Sequence, residues 1–215
     1  GPFATALLKG QSLPQAEKEA VRKRLSELTG LSEAYLERAN LRVTSQRFYK
    51  ELLRDRRLTI GRLDARYTGV DYDNAGEYPD SDPSFYGIDA GYTAAITQWA
   101  RDGLGFETDR PYSSIGGLGG SWDWSLSGRG RNAYLNVAPF IGKAMRQNSG
   151  LRVFNAQGWY DFATPFFGAE YSLNRMGIPQ DRMTYKYYDA GHMMYIRDED
   201  RAKLSSDIRA FIKAR

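Results

Sequence analysis

The sequence predicts an α/β chain: a mostly helical first part followed by two strands of a parallel sheet with their flanking helices. Two observations predict it. Capped helical segments joined by short loops fill the first 55 residues. After about residue 134 the pattern becomes helix-strand-helix-strand-helix, the rhythm of a parallel sheet with helical crossovers. Only two strands belong to that rhythm, and two strands do not make an independent doubly wound domain.

The elements follow in order. Ser12-Leu13-Pro14-Gln15 fits a capping box with proline inside the first turn. Val21, Leu25 and Leu28 recur at helical spacing, and Gly30 suits the stop. Ser32 caps a second short helix, with Leu31 and Leu36 in staple positions. Thr44 caps a third to about Asp55, with Val43 and Phe48 placed likewise. Residues 61–87, rich in Gly, Asp, Pro and Tyr, read as an irregular connection, and helical periodicity returns from Tyr92 to Ala100. A glycine-rich loop covers 109–133. Val137–Gln147 reads as a helix and Leu151–Ala156 as a buried strand. Thr164-Pro165 opens the next helix, which Gly177 and Pro179 close. Met183, Tyr185 and Tyr187 alternate with Thr184, Lys186 and Tyr188 as in a strand, and a last helix carries Leu204, Ile208, Phe211 and Ile212 on one face.

Composition narrows the function classes. A hydrophobic content of 41% argues against wholesale disorder. The net charge is +4, but Lys and Arg alternate with Asp and Glu, as in Glu17-Lys18-Glu19, and leave no basic stripe for a nucleic acid. The cysteine count of zero removes disulfides, thiol catalysis and cysteine-bound metals. No apolar run approaches the ~20 residues that span a bilayer, so no membrane partner is expected. The opening Gly1-Pro2-Phe3 carries no initiator methionine or signal peptide, and reads as a processed or trimmed end with a further N-terminal portion before it.

Two residues stand where chemistry collects. Asp161 follows a strand and the Gly158 turn, and His192, the single histidine, follows the next strand in Asp189-Ala190-Gly191-His192-Met193. Catalytic groups in open α/β sheets gather at the carboxyl ends of strands. An α/β-hydrolase orders its triad Ser, then Asp or Glu, then His, so acid and base on consecutive strand exits fit that order. Serine is a poor nucleophile at neutral pH. A histidine must take its proton, and a carboxylate must fix the imidazole tautomer and stabilise the imidazolium. The same residues admit a plainer reading, with Asp161 a helix cap and His192 a hydrogen-bonded surface or core histidine.

The wording around them resembles a known family. Val153-Phe154-Asn155-Ala156-Gln157-Gly158-Trp159-Tyr160-Asp161-Phe162-Ala163-Thr164-Pro165-Phe166 is similar to the catalytic-aspartate segment of the serine carboxypeptidases, peptidase family S10. Tyr187-Tyr188-Asp189-Ala190-Gly191-His192-Met193-Met194-Tyr195 resembles that family's histidine segment. The likeness is to the bacterial branch, and extends through Ala6-Leu7-Leu8-Lys9-Gly10, Gly61-Arg62-Leu63-Asp64 and Asn136-Val137-Ala138-Pro139. The resemblance implies Asp161 as triad acid, His192 as general base and then acid, and Met193 as part of the leaving-residue pocket. It implies a helical cap over residues 1–130 and the C-terminal segment of an α/β-hydrolase core over 131–215. The nucleophile motif, Gly-x-Ser-x-Gly, would precede the cap on an N-terminal half, which becomes the expected protein partner. It further implies a peptide substrate, no metal or organic cofactor, and a periplasmic or secreted bacterial setting. The alternatives are another α/β-hydrolase (esterase, acyltransferase or aminopeptidase) and a binding module that has lost its serine. This chain alone is expected to be inactive.

Three other motifs are weaker. Gly119-Gly120-Ser121-Trp122-Asp123 places Asp where a nucleophile elbow needs glycine, and no strand precedes it. Gly128-Arg129-Gly130-Arg131-Asn132-Ala133 mimics a dinucleotide fingerprint without its strand. Asp71 to Asp82 partly matches a calcium loop, but Ala75 and Pro79 occupy ligand positions and Asp replaces the bidentate Glu, so a solvated acidic turn is expected.

Overall fold

The computed structural model describes residues 1–113, 117, 121 and 135–214. Helices dominate, with two small two-stranded sheets among the described residues. Internal contacts divide the chain into Gly1–Gly61 with Arg66–Pro83, and Arg62–Ala65 with Ser84–Arg215. The boundary expected at residues 130 and 131 lies outside the described residues, as do the glycine loop at 128–133 and all of Gly119–Asp123 except Ser121, an exposed turn residue.

The first unit begins with a helix that the periodicity did not suggest, α1 (Pro2–Lys9), with proline in its first turn. The capping box expected at Ser12 is not formed. Ser12 belongs to a 3-10 turn continuing from α1, and its hydroxyl donates to the Lys9 carbonyl at 2.7 Å. α2 (Gln15–Thr29) starts after an extended Pro14, two residues beyond Ser12, and no side chain caps it. Gly30 ends α2 in the left-handed region at φ 77°, donating to Ser26. The next two caps form as expected. Ser32 accepts from Tyr35 N–H at 3.1 Å to open α3 (Glu33–Arg38), and Thr44 accepts from Arg47 N–H to open α4 (Ser45–Glu51). Leu31, Leu36, Leu41, Tyr49 and Ile60 are buried beneath these helices. The stretch read as irregular contains an antiparallel pair, β1 (Thr59–Ile60) and β2 (Thr68–Gly69). The acidic turn after β2 is less solvated than expected, because Asp71 is buried against Lys50 of α4 at 2.5 Å.

In the second unit α5 (Pro83–Leu104) is longer than the expected helix, opening at a proline that suits a first turn. α6 (Ala138–Gln147), β3 (Val153–Gly158), α7 (Phe166–Leu173), β4 (Met183–Tyr188) and α8 (Asp198–Lys213) then follow the alternation read in the sequence. β3 and β4 are parallel, in register from Val153 opposite Met183 to Gly158 opposite Tyr188. Parallel strands need a crossover, and α7 supplies it. Side chains alternate across the two strands, so each face packs a different helix set. Val153 and Met183 meet Ala138, Ile141 and Met145 of α6, together with Leu173 and Ile178. On the other face Phe154 meets Phe211 of α8 at 5.3 Å between ring centres, and the Tyr188 hydroxyl donates to Asp207 at 3.0 Å. Tyr187 pins α7 by donating to Glu170, and burial together with that carboxylate pushes its phenol up to about 12, so it stays a neutral donor.

Candidate active site

The site is built on the carboxyl ends of β3 and β4. After Gly158 the chain turns through Trp159 and Tyr160, and Asp161 arrives three residues past the strand. After Tyr188 it passes Asp189, Ala190 and Gly191, and His192 arrives four residues past its strand. Because the strands are adjacent and parallel, both exits open on the same end of the sheet.

Two close backbone approaches hold these exits together. A side chain at Gly158 would collide with the carbonyls of Ala190 and Gly191, and one at Gly191 would collide with the Leu63 carbonyl and Asp64. The short segment Arg62–Ala65 laces the two exits. Leu63 accepts from the His192 backbone N–H at 2.7 Å, Arg62 accepts from Phe162 N–H at 3.1 Å, and Ala65 N–H donates to Tyr160 at 3.0 Å. The Gly158 carbonyl accepts from Asp161 N–H at 3.3 Å, and the pairing of the two exits continues as Trp159 and Tyr160 donate to the Tyr188 and Ala190 carbonyls.

Asp161 and His192 are brought into contact, with Nδ1 of His192 2.9 Å from Oδ2 of Asp161. The aspartate is 5% exposed, whereas the histidine side chain is 42% exposed. A buried carboxylate needs donors, and this one has four. Oδ1 accepts from the backbone N–H groups of Ala163 and Thr164 at 2.8 and 2.9 Å. Oδ2 accepts from the Thr164 hydroxyl at 2.7 Å and from His192. Both amide donors precede α7, which starts at Phe166, so Asp161 closes the turn before the helix and does not cap it. A carboxylate facing Nδ1 places the imidazole hydrogen on Nδ1 and leaves the Nε2 lone pair available as a base. Among the described residues the His192 ring has only Asp161 and Thr164 as hydrogen-bond partners.

Met193 stands half-buried directly after His192, at the head of a 3-10 turn over Met194–Ile196. Asp189, the nearest competing carboxylate in sequence, is engaged by Arg197 at 2.6 Å. Among the described residues no group of three or more His, Asp or Glu side chains converges as a metal site, and no helix is long and apolar enough to cross a membrane. The contribution of Thr164 was missed in the sequence, where it read only as a helix opener. The available signal was its place three residues after Asp161, a spacing from which a Thr side chain reaches back to an Asp carboxylate.

Comparison with family models, with curated proteins and with solved structures finds no match to this chain.

Proposed function

We propose that this chain supplies the acid and the base of a serine hydrolase of the carboxypeptidase type, with the nucleophilic serine carried by polypeptide outside the described residues. The observation that carries the proposal is the Asp161–His192 contact of 2.9 Å at two neighbouring strand exits, with the His192 side chain 42% exposed. In this reading β3 and β4 are two strands of a larger α/β-hydrolase sheet, and the helices before them form its cap.

In this reading the chemistry is that of a Ser-His-Asp triad. Nε2 takes the serine proton as Oγ bonds to the substrate carbonyl carbon, and Asp161 stabilises the imidazolium. Nε2 then gives that proton to the leaving nitrogen as the C–N bond breaks, releasing the C-terminal residue and leaving an acyl-enzyme. Water repeats the cycle, returning a proton to Oγ and freeing the shortened peptide. No metal or organic cofactor enters any step. Met193, beside the base, would help shape the pocket of the departing residue. A periplasmic or secreted location belongs to the same reading.

The test is a pair of substrates given to the complete protein. A peptide with a free C-terminal carboxylate should be cleaved roughly 10²-fold better than its C-terminal amide, because a site with donors built for a carboxylate leaves them poorly matched by the amide. A serine-directed fluorophosphonate should abolish the activity. Equal rates on both substrates would replace the carboxypeptidase with an esterase or endopeptidase, and an absence of hydrolysis would point to a binding module.

A further inference from the structure

We propose that Thr164 is a positioning residue for the Asp161–His192 pair, acting through its hydroxyl. The inference rests on the triad reading above, but its decisive measurement does not require activity. The hydroxyl lies 2.7 Å from Oδ2 of Asp161 and 3.2 Å from Nδ1 of His192, so it stands against both members of the pair at once.

The distribution of lone pairs gives the hydroxyl its role. Oδ1 of Asp161 is occupied by two backbone N–H groups. Oδ2 must hold the histidine, and its remaining lone pair is buried with the rest of the side chain. Thr164 donates its one hydrogen to that lone pair. Its oxygen keeps lone pairs of its own facing Nδ1–H, which is thereby shared between Asp161 and Thr164 in a three-centre arrangement. Both acceptors demand a hydrogen on Nδ1, so both favour the tautomer in which Nε2 is the base. A hydroxyl already hydrogen-bonded to the carboxylate also leaves water no place to compete for Oδ2.

The contribution is separable from local folding. The Thr164 backbone N–H to Oδ1 is a main-chain bond and survives any side-chain change. Thr164 is exposed, so Thr164→Val keeps the branched shape without burying anything new. Thr164→Ser keeps the hydroxyl and loses a methyl group.

The measurement uses the fact that His192 is the single histidine. In the chain labelled with ¹⁵N-histidine, one imidazole gives all the ring signals, and the expected parent spectrum has an Nδ1–H resonance shifted downfield by its carboxylate partner. Thr164→Val should move that resonance further downfield, because the shared hydrogen becomes a straight bond to a carboxylate with one donor fewer. Thr164→Ser should leave it in place. In the complete protein Thr164→Val should lower kcat about tenfold at unchanged KM, the scale of one hydrogen bond to a charged group, and Thr164→Ser should restore it. Thr164→Ala must reproduce the Val result if the Val variant melts early. An Nδ1–H signal unmoved in both Val and Ala variants overturns the proposal, as does a moved signal with parental kcat. A complete protein without hydrolysis removes the triad reading, and the Nδ1–H signal alone then decides Thr164.

Discussion

Asp161 shows how one side chain can satisfy two structural demands at once. Its Oδ1 closes a local turn, its Oδ2 holds His192, and neither duty is given up for the other. A capping Asp and a triad Asp therefore differ in what happens on replacement by Asn. Asparagine accepts backbone N–H groups nearly as well at Oδ1, so the turn should persist. It also offers a neutral group, or an N–H, to Nδ1, and so removes the charge that stabilises imidazolium. In the complete protein Asp161→Asn should lower kcat by about 10³–10⁴, taking as a guide the ~10⁴ loss for the corresponding change in a well-studied serine protease. A variant that melts normally and keeps more than about a tenth of parental turnover, a barrier change under ~1.4 kcal/mol, would transfer the role to another carboxylate, Asp189 first. Asp161 and His192 were legible in the sequence because acid and imidazole at strand exits are chemically distinctive. The Leu63 carbonyl that holds the His192 backbone was not, because a main-chain acceptor leaves no mark on side-chain identity. Gly191 is the one trace of that approach, being the residue whose Cβ would strike it.

Helices and strands were legible where caps and periodicity agreed. Ser32, Thr44 and Gly30 act as their residue types suggest, and β4 runs over the alternating Met183–Tyr188. Ser12 failed because α2 begins only after Pro14, which leaves Ser12 in the 3-10 turn that continues from α1, and α1 is too short to show a period. The acidic turn after β2 failed for a different reason. Charged residues in a polar stretch read as solvated, and only tertiary packing shows that Lys50 of α4 reaches Asp71 and the Asp73 carbonyl, tying a helix to a loop. Burial pushes the Asp71 carboxyl up, and Lys50 opposes that shift. Removing one partner of a buried pair strands the other charge. Lys50→Met should therefore destabilise the first unit by about 3 kcal/mol, read by chemical denaturation. Adding Asp71→Leu should recover most of the loss, since two apolar groups can replace such a pair at little cost. A double variant no more stable than Lys50→Met would mean that Lys50 acts through Asp73 alone.

At the scale of the whole molecule, the parallel pair β3–β4 is too small to be a sheet that stands alone. Parallel sheets occur with several strands and with both faces covered, yet among the described residues β3 pairs only with β4. Two buried amide atoms of β3, Nδ2 of Asn155 and Oε1 of Gln157, have no hydrogen-bond partner among the described residues, an arrangement that costs stability. Large apolar side chains beside the sheet, Trp159, Phe167 and Ile212, are exposed. The alternation of elements was legible from periodicity, but how far the sheet extends was not, because a strand edge has no sequence signature until its neighbour is known. In the proposed hydrolase, a further strand and its helices docked along β3 would extend the sheet and cover these exposed side chains. If that polypeptide is supplied as a separate chain, the two should form an obligate, largely apolar interface of more than ~2,000 Å², and the mixture should melt cooperatively well above either part. Ultracentrifugation and calorimetry of this chain alone and with its complement would measure both effects. A compact, monodisperse monomer with the same cooperative melt in the presence and absence of the complement would show that β3 and β4 bury their faces without help, and the proposed hydrolase sheet would have to be given up.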